Sequence, residues 1–162
     1  MHRVLKKSKP YKHHGKLKNM IKNKALFIGS IINFIIGIGH LVCLAFLNMV
    51  FEVYGIKDIM NRIAAYYGHC FPYIITVIIA LCFFACGIYG LSVCGIIRRL
   101  PLLKLGIFVI PSVFLFRALW GILIMISSFN CIELSSTFVS ALVGSLYLCG
   151  GRKAFSKSNN KK

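Results

Sequence analysis

The sequence predicts an all-α integral membrane protein: a four-helix bundle with both termini cytoplasmic and a short amphipathic helix in the first outer loop. Three observations carry that expectation. Of the 162 residues, 58% are hydrophobic and the mean hydropathy is +0.79, against about 45–50% apolar residues in soluble domains. Four apolar runs are each long enough, at about 1.5 Å per residue, to cross a hydrocarbon core of about 30 Å. The third is charge placement. The chain holds 20 Lys and Arg against 3 acids, and they divide the connecting segments into two kinds.

Nine basic residues fall in residues 1–24, three around Leu100 (Arg98, Arg99, Lys104) and five in the tail from Arg152. The other two links hold Lys57, Arg62 and all three acids, Glu52, Asp58 and Glu133. Cytoplasmic links are enriched in Lys and Arg. Both termini and the Leu100 link are therefore expected in the cytoplasm, and the protein in the cell inner membrane. The same placement argues against nucleic acid as a partner, which a net charge of +17 would otherwise invite. Residues 1–24, interrupted by Pro10 and Gly15, read as a basic disordered tail drawn to anionic lipid by about 1 kcal/mol per charge near the surface.

The first span covers residues 25–51. It exceeds the roughly 7–15 apolar residues of a signal peptide and no A-x-A site follows, so it is expected to be retained. Gly29, Asn33, Gly37, His40, Leu44 and Asn48 share one face at helical spacing, and this small, polar stripe should face the bundle. In segment 52–70, Ile56, Ile59, Met60, Ile63 and Tyr67 repeat with helical period and Gly68 is a stop signal. That pattern predicts an amphipathic helix lying on the outer surface. Tyr54, Tyr66, Tyr67 and Tyr73 fit an interfacial aromatic belt.

The second span covers residues 71–97, with Thr76, Ala80, Phe83, Gly87, Gly90 and Cys94 on one packing face. Arg98 to Pro101 forms the tight turn after it, where proline bars continuation. The third span, 105–128, carries Pro111, expected to kink it and free the carbonyl of Ile107. Its common face holds Gly106, Val113, Arg117, Gly121 and Ser128. The fourth span, 132–150, has a small face of Thr137, Ser140, Ala141 and Gly144, and a basic, disordered tail is expected over 151–162.

Arg117 is the most informative residue. Near mid-depth a charge costs about 2.5–3.5 kcal/mol on insertion scales, so it demands polar company. Counting residues from each membrane boundary puts His40, Thr76, Arg117 and Ser140 in one layer, with Asn33 on the His40 face. The count leaves that layer without a carboxylate, since Glu52 and Glu133 lie twelve and sixteen residues along the chain from His40 and Arg117. The functional reading is a site for an anion or a polar headgroup. Arginine supplies a fixed, forked charge and histidine a tunable donor. The structural alternative is an Arg117 satisfied by carbonyls, hydroxyls and His40, or reaching lipid phosphate.

Seven cysteines show no metal-ligand spacing, and the sequence carries no cofactor motif. Cys70 and Cys131 lie at the outer boundary and are a candidate disulfide. These features predict a non-enzymatic protein that binds a lipid-like or anionic ligand, or scaffolds a membrane partner. Membrane lipids, another membrane protein or a second copy are the expected partners. The alternatives are a small membrane transporter subunit and a membrane redox enzyme.

The GIGH step from Gly37 to His40, IRRLPLL from Ile97 to Leu103 and FRAL from Phe116 to Leu119 resemble small, uncharacterised four-span bacterial membrane proteins, broadly DoxX-like. The resemblance covers residues 25–150. It implies a four-helix bundle and carries over no catalytic residue. Small multidrug exporters also have four spans but rely on a glutamate within the first; here no acid precedes Glu52.

Overall fold

A computed structural model describes residues 23–98, 100–127 and 129–159. Helix α1 (Lys24–Cys43) passes through one 3-10 turn, Leu44–Phe46, into α2 (Leu47–Val53). Then follow α3 (Lys57–Tyr67), α4 (Phe71–Val93), α5 (Leu103–Ser127) and α6 (Cys131–Asn159). Four stretches of 30, 23, 25 and 24 residues are long and apolar enough to cross a membrane, which makes this a multi-pass membrane protein. Helices are the solution because hydrocarbon offers backbone groups no partner, so each must be satisfied within its own segment. The tail expected over residues 1–24 lies, up to residue 22, outside the described residues, as do residues 160–162.

Glycine and proline set the ends. Gly68 terminates α3 at φ 101°, a left-handed value that glycine adopts without steric cost. Tyr67 then stacks on Phe71, ring centroids 4.9 Å apart, which ties α3 to the start of α4. No residue of α3 is buried. Gly95, at φ 77°, ends α4 at Val93 rather than at the Ile97 boundary that hydropathy indicates. The link that follows is stapled by Ser92. Its hydroxyl donates to the Arg98 carbonyl at 2.9 Å and accepts from the Leu100 amide at 3.2 Å. Helix α5 runs on through Pro111, which is buried.

The spans pack as two antiparallel hairpins, α1 with α4 and α5 with α6. The first hairpin closes by exchange. Phe34 of α1 lies over Gly87 of α4, Phe84 of α4 lies over Gly37 of α1, and the two rings sit 5.9 Å apart. The α4 face read from the sequence is the buried one, through Thr76, Ala80, Gly87, Gly90 and Cys94. In the second hairpin Thr137 packs into the space at Gly121, Leu115 at Gly144 and Ile107 at Gly151. On α5 the buried face is Ile107, Ile110, Pro111, Phe114, Ala118 and Gly121; of the expected stripe only Gly121 belongs to it, Arg117 is half-buried, Val113 is exposed and Ser128 lies outside the described residues.

One side chain joins the hairpins. Tyr147 of α6 is fully buried, with its ring against Gly29 and its hydroxyl against Gly90. The hydroxyl donates to the Cys86 carbonyl at 2.8 Å and accepts from Asn33 Nδ2 at 3.1 Å. Asn23 Nδ2 adds a bond to the Gly150 carbonyl at 2.9 Å, and the Tyr89 ring of α4 packs on Gly106 of α5. The core, Leu26, Cys94, Ile107, Ile110, Phe114, Val143 and Tyr147, thus occupies the half of the bundle nearer the chain termini. In the far half the helices pack within hairpins.

Two sequence expectations need correction. The fourth helix does not stop at Gly150, and residues 151–159 are not a disordered tail: α6 continues to Asn159. Two glycines cost a helix about 1 kcal/mol each relative to alanine, but here they are contact points. Leu26 packs at Gly150 and Ile107 at Gly151. The second correction concerns α1. Its stripe is buried at Gly29, Asn33 and Gly37 but fails at Asn48, which is exposed. The tighter 3-10 turn shifts the phase, so Leu47 turns inward instead.

Candidate functional site

Where the hairpins separate, the far half holds an open cavity of about 920 Å³. Its walls come from Ile36 and His40 of α1, Ile79, Cys82, Phe83 and Cys86 of α4, Val113, Phe114 and Arg117 of α5, and Ser135, Ser136, Val139 and Ser140 of α6. Phe83 and Phe114, centroids 6.0 Å apart, bring the two hairpins together below it. The His40 ring lies 5.0 Å from that of Phe83. Ile79, Cys82 and Val113 line the cavity and are exposed. The cavity is therefore open rather than sealed.

Arg117 is the one Lys or Arg among the described lining residues, and its charge is already paired. Nη1 donates to Glu133 Oε1 at 2.8 Å and Nη2 to Ser136 Oγ at 3.1 Å. The expectation of a layer without a carboxylate is therefore overturned. Counting along the chain exaggerated the separation, because the chain folds back. Ten residues of α5 beyond Arg117 and two of α6 before Glu133 leave a net offset of about 12 Å. Two long side chains reaching toward each other span it. Gly121 keeps the path open: a Cβ there would lie 2.9 Å from Arg117 Nη1, 3.0 Å from Glu133 Oε1 and against Thr137 Oγ1. Glu133 also sits in the first turn of α6, where unpaired amides favour a negative charge. It is the less exposed partner, 16% against 39% for the Arg117 side chain.

His40 Nδ1 lies 2.9 Å from the Ile36 carbonyl. A carbonyl can only accept, so Nδ1 carries the hydrogen, and in the neutral ring Nε2 is left as an acceptor. Ser140 is 8% exposed and lines the cavity. Its hydroxyl has no protein partner among the described residues. The Thr137 hydroxyl, buried beside Gly121, is likewise unpaired.

Of the residues singled out from the sequence, His40, Arg117 and Ser140 come together at the cavity. Thr76 and Asn33 do not line it. The Thr76 hydroxyl bonds to the Pro72 carbonyl of its own helix at 2.9 Å. Asn33 is fully buried and engaged with Gly29 and Tyr147, so its role is to lock the hairpins. Cys70 and Cys131 are both free thiols, and no disulfide joins them. They open α4 and α6, diagonal helices that touch little. The sequence reading missed Glu133 and Ser136 as partners of Arg117. A signal existed, since Glu133, Ser136, Thr137 and Ser140 recur at helical spacing. Among the described residues no three His, Cys, Asp or Glu side chains converge as a metal site would require. No protein-family model, curated protein or solved structure matches the chain.

Proposed function

We propose that this chain is a non-enzymatic inner-membrane protein that holds a lipid-like molecule in the cavity between its hairpins. The supporting observation is an open, largely apolar chamber between the hairpins on whose wall His40, Arg117 and Ser140 come together. Its volume, about 920 Å³, lies in the range of about 300–1,000 Å³ typical of ligand pockets, which combine apolar walls with a few orienting polar groups. A free anion, the other ligand considered from the sequence, is disfavoured because the Arg117 charge is balanced by Glu133. Basic links and tails at one end of the bundle support an orientation with both termini in the cytoplasm. Helix α3, with Ile59, Tyr66 and Tyr67 exposed, would then lie along the opposite membrane surface.

The test is lipid mass spectrometry on protein extracted in native membrane patches. Wild type should carry a lipid enriched over the surrounding membrane. Val139→Trp, which fills the cavity, should lose that species while keeping the same annular composition. A wild-type profile identical to bulk membrane would overturn the reading.

A further inference from the structure

We infer that the cavity selects a lipid with an uncharged, hydroxyl-bearing head, of the acylglycerol class, and that pairing with Glu133 leaves Arg117 no net charge with which to hold anionic phospholipid. The inference rests on the reading of the cavity as a lipid site and names what its polar end would recognise.

Three groups define that end. Arg117 spends one N–H on Glu133 and one on Ser136, which leaves further guanidinium donors but no unbalanced charge. Ser140 is nine-tenths buried with an unpaired hydroxyl on the cavity wall. His40, held through Nδ1 by Ile36, offers Nε2 as an acceptor in the neutral ring. The end is therefore a neutral surface with donors on the α5–α6 side and an acceptor on α1.

Three classes of occupant can be compared with it. A plain hydrocarbon would bury the Ser140 hydroxyl and the spare Arg117 donors without partners, and an unmade bond to a buried polar group costs about 1–3 kcal/mol. A phosphate-bearing lipid would meet a guanidinium whose charge is already balanced by Glu133, so little would offset the cost of desolvating its phosphate. An acylglycerol meets neither penalty. Its ester carbonyls accept from Arg117 and Ser140, its free hydroxyl donates to His40 Nε2, and its chains lie against Ile36, Ile79 and Val139.

The experiment uses the full chain in vesicles of phosphatidylcholine with equal fractions of diacylglycerol and phosphatidylglycerol bearing the same chains. Native mass spectrometry then reads the lipids retained. Wild type should retain diacylglycerol over phosphatidylglycerol by at least about tenfold. Glu133→Gln leaves Arg117 as an unbalanced cation and should reverse the preference toward phosphatidylglycerol. The double variant Arg117→Gln/Glu133→Gln should not gain phosphatidylglycerol, and it serves as the charge test if the single variant fails to fold. Capping the free hydroxyl as a methyl ether should lower retention by wild type but not by His40→Phe. Equal or greater retention of phosphatidylglycerol by wild type overturns the headgroup inference and leaves the cavity reading standing. So does a double variant that takes up phosphatidylglycerol. Loss of all retained lipid in wild type, with Val139→Trp indistinguishable from it, overturns both.

Discussion

Arg117 shows how a mid-span charge is accommodated: its partner lies about two helical turns away in depth, reached across a glycine. Breaking such a pair strands a charge, whereas replacing both members with apolar groups does not. Arg117→Leu and Glu133→Leu should each lower the melting temperature in detergent, and the double variant should recover most of the loss. The double-mutant cycle should return a coupling of about 1–3 kcal/mol, and a coupling near zero would remove the pair from the account of stability. Gly121→Val puts a branched side chain between Nη1 and Oε1. It should destabilise by about 1–3 kcal/mol and, added to Glu133→Leu, should cost less than it does alone. The need of Arg117 for polar company was legible in its position, as was its alignment with His40 and Ser140. Glu133 was not, because side-chain reach across a turn leaves no mark in a count along the chain.

At the level of elements, small residues repeating every three or four positions marked the packing faces of α4 and α6 well, because close helix approach requires them wherever the partner lies. What they do not encode is which helix the partner is. Tyr147 looks like one aromatic among many in the sequence, yet it binds Asn33 of α1 and the Cys86 carbonyl of α4. Tyr147→Phe keeps the ring on Gly29 and removes both bonds. It should cost about 1–3 kcal/mol, since the Cys86 carbonyl and the Asn33 amide lose a partner away from water. Gly90→Ala should cost more, because its Cβ would meet the Ser30 and Tyr147 hydroxyls together. Detergent unfolding of the two variants checks the order, and a Gly90→Ala protein as stable as wild type would contradict the tight contact. The 3-10 turn at Leu44–Phe46 was illegible for a different reason. It contains neither glycine nor proline, and only the exchange of Asn48 for Leu47 at the interface reveals it.

For the whole molecule, four spans follow from hydropathy and length; only the α5–α6 hairpin follows from a short link, since the α1–α4 hairpin is joined through residues 54–70 and α3. Orientation is carried by charge, and it can be measured directly. Reporter fusions after residue 60 and residue 130 should read as outside, and fusions at both termini and at Leu100 as cytoplasmic. A cytoplasmic signal from residue 60 would invert the assignment. The cavity itself could not be read from the sequence. It exists because the large side chains that join the hairpins, Tyr147, Tyr89 and Phe114, sit at or below mid-depth, whereas the α6 residues above them, Ser135, Ser136 and Ser140, are too small to fill the gap.

The confinement of the core to one half of the bundle bears on how the protein breathes. Amide exchange follows local opening, which needs least free energy where few buried contacts must break. Protection should therefore change along each helix rather than from one helix to the next. It should be slowest through residues 26–33 and 143–150, whose side chains meet around Tyr147, and faster toward the ends that frame the cavity. The two hairpins would then part as leaves joined at one edge, each intact, so that the space between them can widen without unfolding either.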